Sequence, residues 1–215
     1  MDFKAIIFDL DGVICFTDEY HYQAWKAMAD ELGVYFDRKI NNRLRGVSRM
    51  ESLDIILERY DGELSADEKS SLAEKKNELY RKYLENMSSK DLSEEVKSSL
   101  LELHRRGYKL AIGSSSKNTP FILNQIGLSD FFDAVSDGNN IRRSKPDPEV
   151  FLKASEMLSI PPEECLVVED AVSGAKAGHA GGMKVACLGD ASKAKAGDYN
   201  LKGFSDLLDI PALSA

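Results

Sequence analysis

The chain has 215 residues, 43% of them hydrophobic and 30% charged, which suits one soluble domain or one domain carrying an insert. Its formal net charge of -8 argues against a nucleic-acid or anionic-membrane partner, and obliges any anionic ligand to find a local cationic pocket. The start, Met1-Asp2-Phe3-Lys4, runs into a strand with no signal peptide, no apolar run can span a membrane, and Cys15, Cys165 and Cys187 lack metal-type spacing, so buried thiols and a cytoplasmic location are expected.

Residues 4–10 read as a buried strand in which Ala5-Ile6-Ile7-Phe8 stops at Asp9 and leads into a glycine loop. Helical spacing follows from Thr17 to Leu32, with Tyr20, Ala24, Met28 and Leu32 in phase and Gly33 as a stop. Residues 51–60 and 65–87 read as helices, the second opening on the acidic turn Ser65-Ala66-Asp67-Glu68. Nothing between 17 and 87 reads as a buried strand. From residue 93 the pattern alternates: helix 93–106, strand 108–113, helix 117–126, strand 133–136, helix 148–158, strand 165–168, helix 171–180 and strand 183–188. Strands alternating with helices predict an α/β fold with a doubly wound parallel sheet. A helical insert then interrupts an α/β core just after its first strand. The core is expected over 1–15 and 88–215 and a helical cap over 16–87, with chain crossings near 15–17 and 86–90 as a hinge pair.

Four short blocks place reactive groups at predicted strand ends or turns. Asp9 ends the first run, and its carboxylate can attack phosphorus to give an acyl phosphate. Asp11, two residues on, can face the same cleft, donate a proton to the leaving oxygen and then take one from the incoming nucleophile. Gly12 lets the backbone turn sharply and present amides to the phosphate. Leu110-Ala111-Ile112-Gly113 stops at Ser114, where Ser114-Ser115-Ser116 can cap a helix and bind an anion with the same free amides. Lys145 lies in the polar turn Ser144-Lys145-Pro146-Asp147-Pro148, and Leu166-Val167-Val168 stops at Glu169-Asp170, hard oxygen ligands suited to magnesium. Alone each block has an ordinary explanation as a turn, a helix cap or a solvated charge. In order, at the ends of parallel strands that open on one crevice, they form a phosphoryl-transfer set.

Asp9-Leu10-Asp11-Gly12, Ser114, Lys145 and Glu169-Asp170 resemble the ordered signatures of the haloacid dehalogenase-like superfamily, over essentially the whole chain. That resemblance implies Asp9 as nucleophile, Asp11 as acid and base, Ser114, Ser115 and Lys145 as phosphate-binding groups, and magnesium at Asp9, Asp11, Glu169 and Asp170. The segments Thr17-Asp18-Glu19-Tyr20-His21, Ala24-Trp25-Lys26, Gly46-Val47-Ser48-Arg49, Lys75-Lys76-Asn77 and Ser115-Ser116-Lys117-Asn118 are similar, more narrowly, to the superfamily's β-phosphoglucomutase branch. This implies that Thr17, His21 and Lys76 work at hinge and cap, with His21 coupling closure to the proton duties of Asp11. Arg49, Ser116, Lys117 and Asn118 would grip a second phosphate, while Gly46, Val47, Ser48 and Ser52 complete the cap side. Trp25 suits either a sugar platform or the cap core, and core is favoured. Phe16 and Ser115 depart from the pattern: Phe16 bears on hinge packing, and Ser115 matters little if only its amide is used.

The expected activity interconverts β-glucose 1-phosphate and glucose 6-phosphate, with magnesium and glucose 1,6-bisphosphate as activating intermediate, in a monomer whose partner is a small phosphorylated sugar. Two anion sites separate such a mutase from a sugar-phosphate phosphatase, which needs one, and the intact acidic and basic set disfavours a non-enzymatic binding protein.

Overall fold

Residues Ala5–Phe8 form strand β1, buried along its whole length. The computed structural model describes residues 3–213, so Met1 and Asp2 of the expected entry into the strand lie outside them. β1 pairs in parallel with β2 (Lys109–Gly113) on one side and with β4 (Cys165–Glu169) on the other, with Ala5 level with both Lys109 and Cys165. β3 (Ala134–Ser136), β5 (Lys184–Cys187) and β6 (Tyr199–Asn200) extend the sheet to the order β3-β2-β1-β4-β5-β6. The chain thus winds outward from β1 to β3, then returns to the far flank of β1 as β4. The strand order reverses at β1, where a crevice opens at the carboxyl ends of β1, β2 and β4.

Side-chain alternation divides the apolar residues between the two faces of the sheet. Ile6, Phe8, Leu110, Ile112, Leu166 and Val168 join one cluster, while Ala5, Ile7, Ala111, Val167 and Val185 join the other. All three cysteines are unpaired and buried, as expected.

β1 is followed by a block of four helices: α1 (Asp18–Glu31), α2 (Arg38–Asn42), α3 (Arg49–Leu57) and α4 (Ala66–Leu84). They carry an apolar cluster of their own, including Trp25, Met28, Phe36, Leu53 and Ile56. α3 starts two residues before the expected 51 because Ser48 and Glu51 form a reciprocal capping box. Ser65 and Glu68 do the same for α4. α2 has no apolar periodicity to announce it and was not expected; it hangs on the Asp37 cap, whose carboxylate accepts from Ile40 N at 2.8 Å.

The remaining helices are α5 (Glu94–Arg105), α6 (Thr119–Gln125), α7 (Glu149–Leu158), α8 (Val172–Ala180) and α9 (Gly189–Lys193). α6 begins two residues later than expected, since the segment through Asn118 is spent in a loop. α9 and the two-residue β6 were also not expected, being too short for either period to show. Among the described residues no helix is long and apolar enough to cross a membrane.

Candidate active site

The four expected blocks meet in the crevice. Asp9 follows β1, Ser114 follows β2, and Glu169 ends β4 with Asp170 just beyond. Lys145 reaches in from the loop before α7 and is completely buried. Its ammonium donates to Asp9 and, at 2.5 Å, to Glu169 Oε1, while Phe151 lies beneath it with its ring centre 4.8 Å away. Burial pulls the Lys145 pKa down, but the two carboxylates outweigh it and hold the amine above its usual range.

Oxygens of Asp9, Glu169 and Asp170 lie within 4.8 Å of one another. Three hard, buried oxygen donors fit magnesium. Two glycines keep this cradle open. A Cβ on Gly12, whose φ is +93°, would come within 2.3 Å of Asp170 Oδ2, and one on Gly174 within 1.8 Å of Glu169 Oε1. Burial, then Glu169 and Asp9, raise the Asp170 pKa, so a cation there relieves a standing excess of negative charge. The Asp11 carboxylate lies outside this group.

Asp11 instead accepts from the hydroxyl of Thr17, which precedes α1 yet gives that helix no side-chain cap. Burial, then the Asp9 charge, push the Asp11 pKa up to about 7. A carboxyl that titrates near neutrality can both give and take a proton.

A cavity of about 510 Å³ extends from Asp9, Asp11 and Asp170 up to the helical block. His21, Trp25, Gly46, Val47, Ser48, Arg49, Ser52 and Lys76 line it, as do Ser114, Ser115, Ser116, Lys117 and Asn118. Thr17 and Lys145 stand behind this wall, touching Asp11 and Asp9. Trp25 belongs to the cluster of the block, as favoured, and also lies under Lys76 Nζ, 4.4 Å from its ring centre. Lys76 Nζ is 3.0 Å from His21 Nδ1, and His21 stacks on Tyr80 with ring centres 4.0 Å apart. Burial, then the neighbouring positive charges, push the pKa values of both Lys76 and His21 well down.

Two expectations need amendment. The Ser115 hydroxyl is used, since it donates to Gly46 O at 3.2 Å and ties the β2 loop to the helical block. Phe16 is 70% exposed, so it contributes little to packing between the two chain crossings.

Several residues at the site were not anticipated. Arg45 pairs with Asp18 and reaches Asp170 Oδ2 at 3.3 Å. Glu51 accepts from the Ser144 hydroxyl at 2.6 Å. Glu74 holds Arg49 at 2.8 Å, and Asn77 accepts from Asn118 Nδ2 at 2.9 Å. Their partners lie too far off in sequence for any spacing rule. Only Arg45 carried a local hint, a cation directly before a glycine of the cavity wall.

A profile of the haloacid dehalogenase-like hydrolases matches residues 3–182. The chain is 38% identical over 206 residues to β-phosphoglucomutase of Bacillus subtilis, covering 95% of this chain and 91% of that protein. It is 30% identical to a phosphorylated carbohydrates phosphatase of Thermotoga maritima, over 84% of this chain and 82% of that one. The crystal structure of β-phosphoglucomutase from Clostridium difficile superposes with a TM-score of 0.90 at 36% identity, covering 95% of this chain and 93% of that one. With the profile spanning most of the sequence and carboxylates gathered at the reversal of a parallel sheet, this chain belongs to the haloacid dehalogenase-like hydrolase family.

Proposed function

We propose that the protein is a sugar-phosphate mutase that interconverts β-glucose 1-phosphate and glucose 6-phosphate through glucose 1,6-bisphosphate. The observation that carries this reading is that one cavity is lined by expected phosphoryl-transfer residues and also by polar and cationic residues that could hold a second phosphate. Asp9, Asp11 and Ser114 line one end, while Arg49, Lys117 and Asn118 come from outside the four core blocks. Relatives at 38% and 36% identity named as β-phosphoglucomutases support it.

In the first half-reaction a phosphorylated Asp9 meets β-glucose 1-phosphate. The sugar 6-hydroxyl attacks phosphorus, its proton passes to Asp11, and the bond from phosphorus to the Asp9 carboxylate breaks. The bisphosphate then turns over. Asp9 attacks the 1-phosphate, the bond to the sugar oxygen breaks, and Asp11 returns its proton to that oxygen, giving glucose 6-phosphate. Asp9, Glu169 and Asp170 would hold magnesium, which supplies charge neutralisation between the two anions, nucleophile and phosphate. Lys145 holds Asp9 in place and offsets its charge. Residues 16–87 act as a cap over a core formed by 1–15 and 88–215, and a closed cap excludes the water that would otherwise hydrolyse the aspartyl phosphate.

A magnesium-dependent sugar-phosphate phosphatase is the second reading, supported by the Thermotoga relative. It shares every core residue but lets water take the phosphoryl group. A coupled assay on β-glucose 1-phosphate with a trace of glucose 1,6-bisphosphate, run beside a free-phosphate assay, separates the two. Glucose 6-phosphate formed faster than inorganic phosphate is the expected result; phosphate release alone would replace the mutase with the phosphatase.

A further inference from the structure

Arg45 sits in the connection between α2 and α3 and extends its guanidinium toward the core. It touches three carboxylates. Asp18, at the start of α1, belongs to the same helical block. Asp170 Oδ2 at 3.3 Å and Asp190 Oδ2 at 3.5 Å belong to the core. The backbone of the same segment is also tied down, because Arg45 O accepts from the Ser173 hydroxyl at 3.1 Å and Gly46 O accepts from Ser115. Gly46 has φ +77°, and a Cβ there would lie 2.5 Å from Ser173 Oγ, so the chain comes closer to α8 than any other residue type allows. Residues 45 and 46 are therefore a docking point between block and core, with the cation as its charged element.

Two features make this docking conditional. Asp170 is one of the three carboxylates gathered for a cation, so Arg45 draws on the same negative charge. Asp190 is itself shared with Lys193 at 2.8 Å, which weakens its hold on Arg45. In addition, Arg45 Nε is buried with no hydrogen-bond partner, so the docked guanidinium bears an unmet donor.

We propose that Arg45 is a positioning residue that competes with a divalent cation for Asp170, so that docking of the 45–46 segment and filling of the Asp9, Glu169 and Asp170 group oppose each other. Arg45 yields Asp170 when the cation binds and keeps Asp18 as its partner, which loosens the wall of the cavity through which a sugar phosphate enters. The inference rests on the metal reading of the carboxylate group, not on the choice between mutase and phosphatase. Coupling of this kind is reciprocal: what the guanidinium does to cation affinity, the cation does to docking.

The test is calorimetric titration of magnesium into the full chain without sugar phosphate. Arg45→Gln is expected to bind magnesium roughly five- to tenfold more tightly than wild type, and Arg45→Lys, which keeps the charge, to stay near wild type. The reciprocal measurement needs no variant: saturating magnesium should speed amide hydrogen exchange at Gly46 and Val47 in the wild-type protein. Equal or weaker magnesium binding by a folded Arg45→Gln, or unchanged or slower exchange at Gly46 and Val47, overturns the competition while leaving the metal site standing. Absence of any magnesium binding by wild type removes the metal site and the competition together.

Discussion

Two buried lysines, one in the core and one in the helical block, have opposite proton affinities. Lys145 has no exposed surface and holds two carboxylates, which outweigh its burial and raise its pKa. Lys76, 3% exposed, meets a histidine and the faces of Trp25 and Tyr80, and its pKa falls well below the usual value. The core end of the cavity is thus saturated in advance, with the nucleophile already paired to its cation. At the block end, burial and then neighbouring positive charge disfavour the charged forms of Lys76 and His21, which an arriving anion would favour. On the proposed mutase reading, a site that holds one phosphoryl group rigidly, yet releases and recaptures the other end of its substrate, calls for this asymmetry.

Breaking the core end should have the largest effect. Asp9→Asn is expected to abolish phosphoryl transfer, because an amide cannot supply the attacking carboxylate. Labelled phosphate trapped on that variant at wild-type levels would remove Asp9 from the role. Lys145→Met should follow, with activity lower by about a thousandfold and stability by about 3–5 kcal/mol, since Asp9 and Glu169 lose the cation that justifies their burial. Urea unfolding and phosphoenzyme formation measure the two losses. A variant as stable as wild type would show that the carboxylates simply protonate at little cost.

Breaking the block end should cost less. Arg49 is paired to the exposed Glu74 and lines the cavity from the helical block. Arg49→Ala is expected to lower kcat/KM for isomerisation of β-glucose 1-phosphate about ten- to a hundredfold, the worth of a charge-assisted contact of about 1.5–3 kcal/mol. Phosphorylation of Asp9 by acetyl phosphate, a donor with no second phosphate, should be nearly unaffected. Equal losses with both donors would dissolve the distinction between the two ends.

The same asymmetry governs what sequence could reveal. Asp9, Ser114, Lys145 and the acidic pair stand at the ends of short apolar runs or in a polar turn, and a parallel sheet brings such positions together whatever the loops do. Position in the chain therefore encodes position in space. In the helical block Arg45, Glu74 and Asn77 meet partners set by helix packing, and α3 and α4 could rotate by a residue without altering any local pattern. Ser115 makes the point within one loop: its place in the turn after β2 was legible, whereas the use of its hydroxyl on Gly46 depended on a segment 69 residues away. Family resemblance supplied Arg49, Lys76 and His21, which the pattern of residues alone left as ordinary surface or packed side chains.

Asp11, between the two ends, sharpens the comparison through pH. With its pKa raised by burial and by Asp9 to about 7, it carries its proton below neutrality and loses it above. Transfer from glucose 1,6-bisphosphate to Asp9 needs the protonated form, so its single-turnover rate should fall above pH of about 7, and that inflection should vanish in Asp11→Asn. The stability sign follows from the same shift. An unfolded aspartate titrates near about 3.9, so from there to about 7 the folded chain binds the extra proton and wild type loses stability as pH rises. Measured without metal, Asp11→Asn should gain on wild type across that window and hold its advantage above it. An advantage that stays constant across that window would mean that Asp11 is charged in the folded protein at all these values.

The smallest effect is expected at Lys76, and its sign is the sharpest test of the contrast between the lysines. An amine whose pKa is depressed on folding binds fewer protons in the native than in the unfolded state. Stability due to that group then rises with pH until the unfolded lysine, near about 10.4, also loses its proton. Lys76→Met keeps the length of the side chain and its contact with Trp25 and Tyr80 while removing the amine whose charged form burial disfavours. At pH 6.5 the variant should melt about 2–4 °C above wild type, equivalent to about 1 kcal/mol for a chain of this size. The gap should narrow toward pH 9, as the cost of giving up the amine proton on folding falls with rising pH. His21 will absorb part of the gain, because without the positive charge of Lys76 beside it the imidazole ionises more readily. Turnover with glucose 1,6-bisphosphate should fall in the same variant, as the cavity loses a cation that its anionic substrate recruits. If Lys76→Met instead melts lower than wild type by the same margin at pH 6.5 and at pH 9, Lys76 is a charged, paired residue like Lys145, and the two ends of the cavity are organised alike.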